Sequence, residues 1–171
     1  WIAYTSAYIG RFSYASNIIS IEKLYGVLHA DAGLVSTFFF FAYGAGQIIN
    51  GIFNKKYNKK YVMSGALILS SIINFLFFLG IPFELLKYLW LVNGIAQSVL
   101  WPCLISLLSE TLKKEDLPSA LVVLSSTVAL GTFLAYGASA LFTLFGVFQF
   151  TFLFGTIAMT MGIYEKLISI V

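Results

Sequence analysis

The chemistry in this chain centres on Arg11, which lies near the middle of an apolar run from Ile2 to Ile21. At the centre of a membrane helix an arginine costs roughly 2.5–3.5 kcal/mol even on the lenient insertion scale, so something must offset it. Tyr4 and Tyr8 precede it at helical spacing, which puts two phenols and the guanidinium on one face. A planar fork of donors flanked by phenolic hydroxyls suits a phosphate or a carboxylate. Two plainer readings compete: Arg11 snorkels to a bilayer surface, and Tyr4 belongs to an interfacial aromatic belt.

The next apolar run carries Ser36, Phe40, Tyr43, Gln47 and Asn50 at steps of three or four, a stripe that would be wasted against lipid. Asn93 and Gln97 repeat the device further on, with Trp101 a turn later beside Pro102. Such residues either line a water-filled cavity or join neighbouring helices. The candidate substrate-binding set is Tyr4, Tyr8, Arg11, Tyr43, Gln47, Asn93, Gln97 and Trp101. Glu22, Asp31, Glu84, Glu110, Glu115, Asp116 and Glu165 all fall at the ends of apolar runs or in loops. This chain therefore lacks the buried acids of a proton relay and the acid–base pair of a membrane hydrolase. No catalytic residue is expected. His29 is a lone loop histidine and Cys103 the one cysteine, so no metal centre, cofactor or internal disulfide is expected either.

The elements that must hold these residues follow from composition. Of 171 residues, 60% are hydrophobic and 10% charged, against roughly a quarter charged in soluble domains. No water-soluble fold hides that much apolar surface. At roughly 20 residues per crossing the length accommodates about six spans and no separate soluble domain. Charges and prolines punctuate them at about 2–21, 32–53, 61–81, 88–112, 118–144 and 148–163. Asp31 is placed to cap the second, Pro102 should kink the fourth, and Pro118 can start the fifth as a first-turn proline. Thr127, Gly131, Ala135 and Ser139, spaced by four, form a small-residue ridge that reads as helix packing.

Lys55, Lys56, Lys59, Lys60, Lys113 and Lys114 fall on one side, against Lys23 and Lys87 on the other. The lysine-rich side should be cytoplasmic, which puts both termini on the cytoplasmic side of a cell (plasma or inner) membrane and requires an even number of spans. The net charge of +3 and the loop lysines fit a membrane face rather than a nucleic-acid groove. Trp1 opens the chain without a charged leader, so no signal peptide is expected. Val171 follows an apolar run directly, where a connector to further helices is expected.

Six spans, an arginine in the first and a lysine-rich loop after the second resemble the N-terminal half of the major facilitator superfamily. The segment Gly51-Ile-Phe-Asn-Lys-Lys-Tyr-Asn-Lys-Lys60 looks like that superfamily's gating-loop motif, degenerate because Lys55 holds the usual aspartate position. The resemblance is nearer to the organophosphate:phosphate antiporters, the glycerol-phosphate and hexose-phosphate transporters. It is carried by Tyr8-Ile-Gly-Arg11, Ala42-Tyr-Gly, Asn58 and Gly94-Ile-Ala-Gln-Ser-Val-Leu-Trp-Pro102. It implies that Arg11 matches the arginine that binds substrate phosphate, that the loop of Gly51, Lys55, Lys56, Lys59 and Lys60 gates helix movement, and that a second six-helix half completes the protein. Gln47 and Val128 stand where a pocket lysine and a histidine are found in glycerol-phosphate transporters, so the pocket has lost a cation and a titratable group. The expectation is an all-α bundle, one half of a secondary transporter for a small anionic or polar metabolite, with the bilayer as its solvent. A transporter-like ligand sensor, or a transporter of an unphosphorylated carboxylate or sugar, is the alternative.

Overall fold

The structure, a computed structural model, describes residues 1–53 and 58–168. Among these the secondary structure is entirely helical: α1 (Ile2–Ala15), α2 (Ile18–Tyr25), α3 (His29–Phe53), α4 (Lys59–Phe78), α5 (Phe83–Ser98), α6 (Leu100–Thr111), α7 (Leu117–Leu144) and α8 (Phe150–Ile168). Four stretches are long and apolar enough to cross a bilayer: α3, α4, the α5–α6 path Phe83–Thr111, and α7. α8 contributes a shorter apolar helix, Phe150–Tyr164.

Local chemistry explains most of the boundaries. Asn58 caps α4 by accepting a hydrogen bond from the Lys60 backbone N–H at 3.1 Å. α3 starts at His29, three residues before the expected boundary, so Asp31 sits in its first turn, not at its cap. There its carboxylate favours the positive end of the helix dipole. Pro118 occupies the first turn of α7, where its missing N–H has no ladder bond to lose. Pro102 cannot donate to the carbonyl four residues back, and the fourth apolar run is interrupted at Val99, one turn before it.

The stretch read as one first span is in fact two helices, parted at Ser16 and Asn17 without any proline. Asn17 is buried; its side-chain amide donates to the Ser13 carbonyl at 2.8 Å. The Ser139 hydroxyl from α7 stands 2.8 Å from the Ser16 carbonyl oxygen and 2.9 Å from Asn17 Oδ1. Polar side chains thus meet main-chain groups released by the break.

The small-residue ridge of α7 is buried against α1, and a Cβ on Gly131 would collide with Tyr8 and the Thr5 carbonyl. α8 packs on α1 and α4, with Ser71 and Thr156 exchanging hydrogen bonds to each other's carbonyls at 3.2 and 3.3 Å. The apolar core falls into two clusters. One holds Tyr4, Ala7, Met63, Leu67, Leu100 and Met159; the other holds Tyr14, Phe39, Ile73, Phe77, Trp90 and Phe152. Between the two clusters the helices bring buried polar or small residues inward: Arg11 and Ser13 on α1, Ser70 and Ser71 on α4, Asn93 and Gln97 on α5, and Gly155 on α8. Two greasy layers thus enclose a polar one.

Candidate functional site

Arg11 lies in that polar layer and is 6% exposed. Its Nε donates to Gln97 Oε1 at 2.9 Å, a contact between residues 86 apart in sequence. Gln97 Nε2 donates to Asn93 Oδ1 at 3.4 Å, and both amides are fully buried. The guanidinium carbon stands over the rings of Tyr43 and Tyr8, 4.3 and 4.5 Å from their centroids, with Phe39 at 5.9 Å. Each desolvated cation–π contact of this kind is worth on the order of 1–2 kcal/mol, a partial offset to burying the charge. Among the described residues no carboxylate pairs with Arg11, and its Nη2 is buried without a hydrogen-bond acceptor.

Each helix supplies its part by periodicity. On α1, Tyr4, Tyr8 and Arg11 stack along one face; Tyr4 meets Tyr8 edge to face at 5.2 Å and stacks on Trp101 of α6 at 5.6 Å. On α3, Gln47 donates to the Tyr43 hydroxyl at 2.7 Å, one turn apart, which steadies the ring over Arg11. On α5, Asn93 and Gln97 are likewise one turn apart. Gly94 lets this helix approach α3, since a Cβ there would strike the Phe39 carbonyl. The eight residues expected to share a site therefore form one continuous chain of contacts: Gln47, Tyr43, Arg11, Tyr8, Tyr4 and Trp101, with Gln97 and Asn93 branching from Arg11.

The stripe expected on α3 departs from the observed packing at Phe40, which is half exposed, whereas its neighbour Phe39 is buried and stacks on Tyr43 at 5.9 Å. Ala32, Val35, Phe39 and Ala42 are the buried face, and their three- and four-residue spacing was the signal for it. Asn50 faces α5, donating to the Gly46 carbonyl and to Ser98 Oγ at 3.0 Å. A second buried polar group escaped the sequence reading altogether: Ser13 of α1, Asn17 at the break before α2, Ser70 and Asn74 of α4, and Thr151 of α8. Serines and single asparagines are too common in membrane helices to stand out by type.

In the loop after α3, Lys55 and Lys56 lie outside the described residues. Gly51 is an exposed position in the last turn of α3. Lys60 is exposed, and Lys59 reaches Glu110 near the end of α6 at 2.8 Å and 3.1 Å. That ion pair went unread, because Glu110 has no sequence mark tying it to a loop 51 residues away. His29 pairs with Glu22 at 2.6 Å across the turn between α2 and α3.

Known proteins agree with a membrane transport fold. The chain is similar to membrane sensor protein UhpC of Escherichia coli K12, 30% identical over 97 residues, covering 57% of this chain and 22% of the relative. It is similar to human sugar phosphate exchanger 3, 33% identical over 86 residues, covering 46% and 17%. It is also similar to a probable hexose phosphate transport protein of Chlamydia pneumoniae, 24% identical over 116 residues, covering 68% and 26%. The matched stretch thus spans about a quarter or less of each of these relatives. They agree with the resemblance to organophosphate:phosphate antiporters read from Tyr8–Arg11 and Gly94–Pro102. Over residues 1–168 the chain matches the sequence description of the Major Facilitator Superfamily, and it belongs to that superfamily.

Proposed function

We propose that this chain is the N-terminal half of an alternating-access secondary transporter for a small anionic metabolite, an organophosphate or sugar phosphate, exchanged across the membrane. In this reading α1 with α2, α3, α4, α5 with α6, α7 and α8 are six spans, and a second six-helix half rocks against them around a midplane site. The lysine-rich loops and both termini face the cytoplasm, in the plasma or inner membrane. Arg11 grips the anion, the aromatic residues Tyr4, Tyr8, Tyr43 and Trp101 wall the site, and Gln47, Asn93 and Gln97 supply neutral polar contacts.

The observation that carries the reading is the buried cation without a carboxylate: Arg11 Nη2 has no acceptor among the described residues. A guanidinium of this kind gains from a compensating charge, and a bound oxyanion is the chemistry that supplies one. The relatives, which include a sugar phosphate exchanger and a hexose phosphate transport protein, support that choice of anion. The test is counterflow of radiolabelled phosphate and hexose phosphate in proteoliposomes containing the protein. Arg11→Lys keeps the charge but loses the planar fork, so exchange should fall at least about tenfold while insertion is unchanged. Unaltered exchange would remove Arg11 from the site.

A second reading rests on the likeness to a protein named as a membrane sensor. There the same site binds the ligand and reports it to a partner. Saturable binding without counterflow would select it.

A further inference from the structure

Arg11 can only donate hydrogen bonds, and that fixes the orientation of the amides beyond it. Its Nε points at Gln97, so the Gln97 side chain must present oxygen there and nitrogen on its far side. That nitrogen meets Asn93, which must answer with Oδ1, and Asn93 Nδ2 is left buried with no acceptor. Polarity therefore runs one way along the row, set by a group that has donors and no acceptor.

A guanidinium offers an oxyanion two forks in its plane, the side pair Nε with Nη2 and the end pair Nη1 with Nη2. The rings of Tyr8 and Tyr43 lie over the group, so a ligand meets it along that plane, where the N–H bonds point. Gln97 holds Nε, and among the described residues nothing else accepts from the guanidinium. We propose that Gln97 is a positioning residue for the ligand: it closes the side fork of Arg11 and presents the end fork, so that an oxyanion with two acceptor oxygens docks in one direction. A carboxylate at position 97 would pair with the cation and shut the site to anions; an amide holds the same atom in place and leaves the charge open. This inference rests on Arg11 being the anion site.

In the full-length protein, second half included, arginine-selective nitrogen-15 labelling makes the guanidinium nitrogens visible, and the Arg11 resonances are assigned as those lost in Arg11→Lys. The full-length protein is placed in lipid nanodiscs and titrated with inorganic phosphate. The Nη resonances should move and Nε should stay. In Gln97→Leu, close in size but without an acceptor, Nε is freed and should move with phosphate as well. Gln97→Glu should raise the phosphate Kd at least about tenfold, the scale of one hydrogen bond to a charged group. An Nε shift as large as that of Nη in the parent, or a still Nε in Gln97→Leu, overturns the role of Gln97 while leaving Arg11 as the anion site. No movement at any Arg11 guanidinium nitrogen removes Arg11 from the site, and the role of Gln97 with it. Should Gln97→Leu not fold, the parent titration decides alone.

Discussion

Gly94 is where the packing behind the arginine is most open to test. It lies where α5 meets α3, and a Cβ there would run into the Phe39 carbonyl oxygen while standing 3.2 Å from both the Phe39 carbonyl carbon and Ala42 Cβ. Main chain cannot swing aside as a lysine tip would, so Gly94→Ala must push the two helices apart. A gap of about 0.5–1 Å forfeits roughly a quarter to a half of each dispersion contact, and overpacking on this scale costs about 1–3 kcal/mol. Because the clash is with main chain, the upper part of that range applies, about 2–3 kcal/mol; alanine's better helix propensity returns about 1 kcal/mol, which leaves a net loss of about 1–2 kcal/mol. For a chain of this size that lowers Tm by about 2–8 °C. Thermal unfolding in detergent, followed by tryptophan fluorescence, reads the change directly because Trp90 is buried on α5. Gly65→Ala is the control: it lies inside α4 with nothing within 4 Å of the added carbon, so its Tm should hold or rise. If the two variants melt together, the close approach of α3 and α5 is refuted, and with it the account of how Tyr43 is held against Arg11.

Three further outcomes follow from single contacts. Ser139→Ala strips the donor from the Ser16 carbonyl and Asn17 Oδ1 and should cost about 1–3 kcal/mol in the same melt; an unchanged Tm would mean that α7 does not hold the break in place. Gln47→Lys adds a second cation one turn from Tyr43 and should tighten phosphate binding about tenfold in the nanodisc titration, the scale of about 1.4 kcal/mol; no gain would put position 47 out of the ligand's reach. Lys59→Ala removes an ion pair whose glutamate is half exposed, so it should cost less than about 1 kcal/mol and nothing measurable in about 1 M salt. A larger loss that survives salt would show that this pair does more than hold a surface together.

Arg11 was legible because a cation in an apolar run has few explanations, and Tyr43, Gln47, Asn93 and Gln97 because amides and phenols at helical spacing mark a face. Which faces meet was not legible. The bond between Arg11 and Gln97 depends on how α1 and α5 are rotated about their axes, and nothing local to either segment encodes that rotation. The same reason explains Phe39 and Phe40: in a run of four phenylalanines, Phe38 to Phe41, composition is flat and a one-residue error of phase passes unseen. Pro102 announced the interruption at Val99, since a missing N–H is a local fact. The break at Ser16 and Asn17 carries no such mark, because the partner that satisfies it, Ser139, lies on another helix.

That break has a mechanical meaning. In an intact rod, tilting the outer end against the inner one tears a ladder of main-chain bonds; here the ladder already stops, and a serine hydroxyl from α7 stands in for the missing rung. Turning α2 about this joint is resisted by side chains instead: Tyr25 donates to the Ile81 carbonyl at 2.6 Å, and Ile21 is buried in the core. The angle between α2 and the helix that bears Arg11 is thereby set by tertiary contacts, not by an unbroken main-chain ladder.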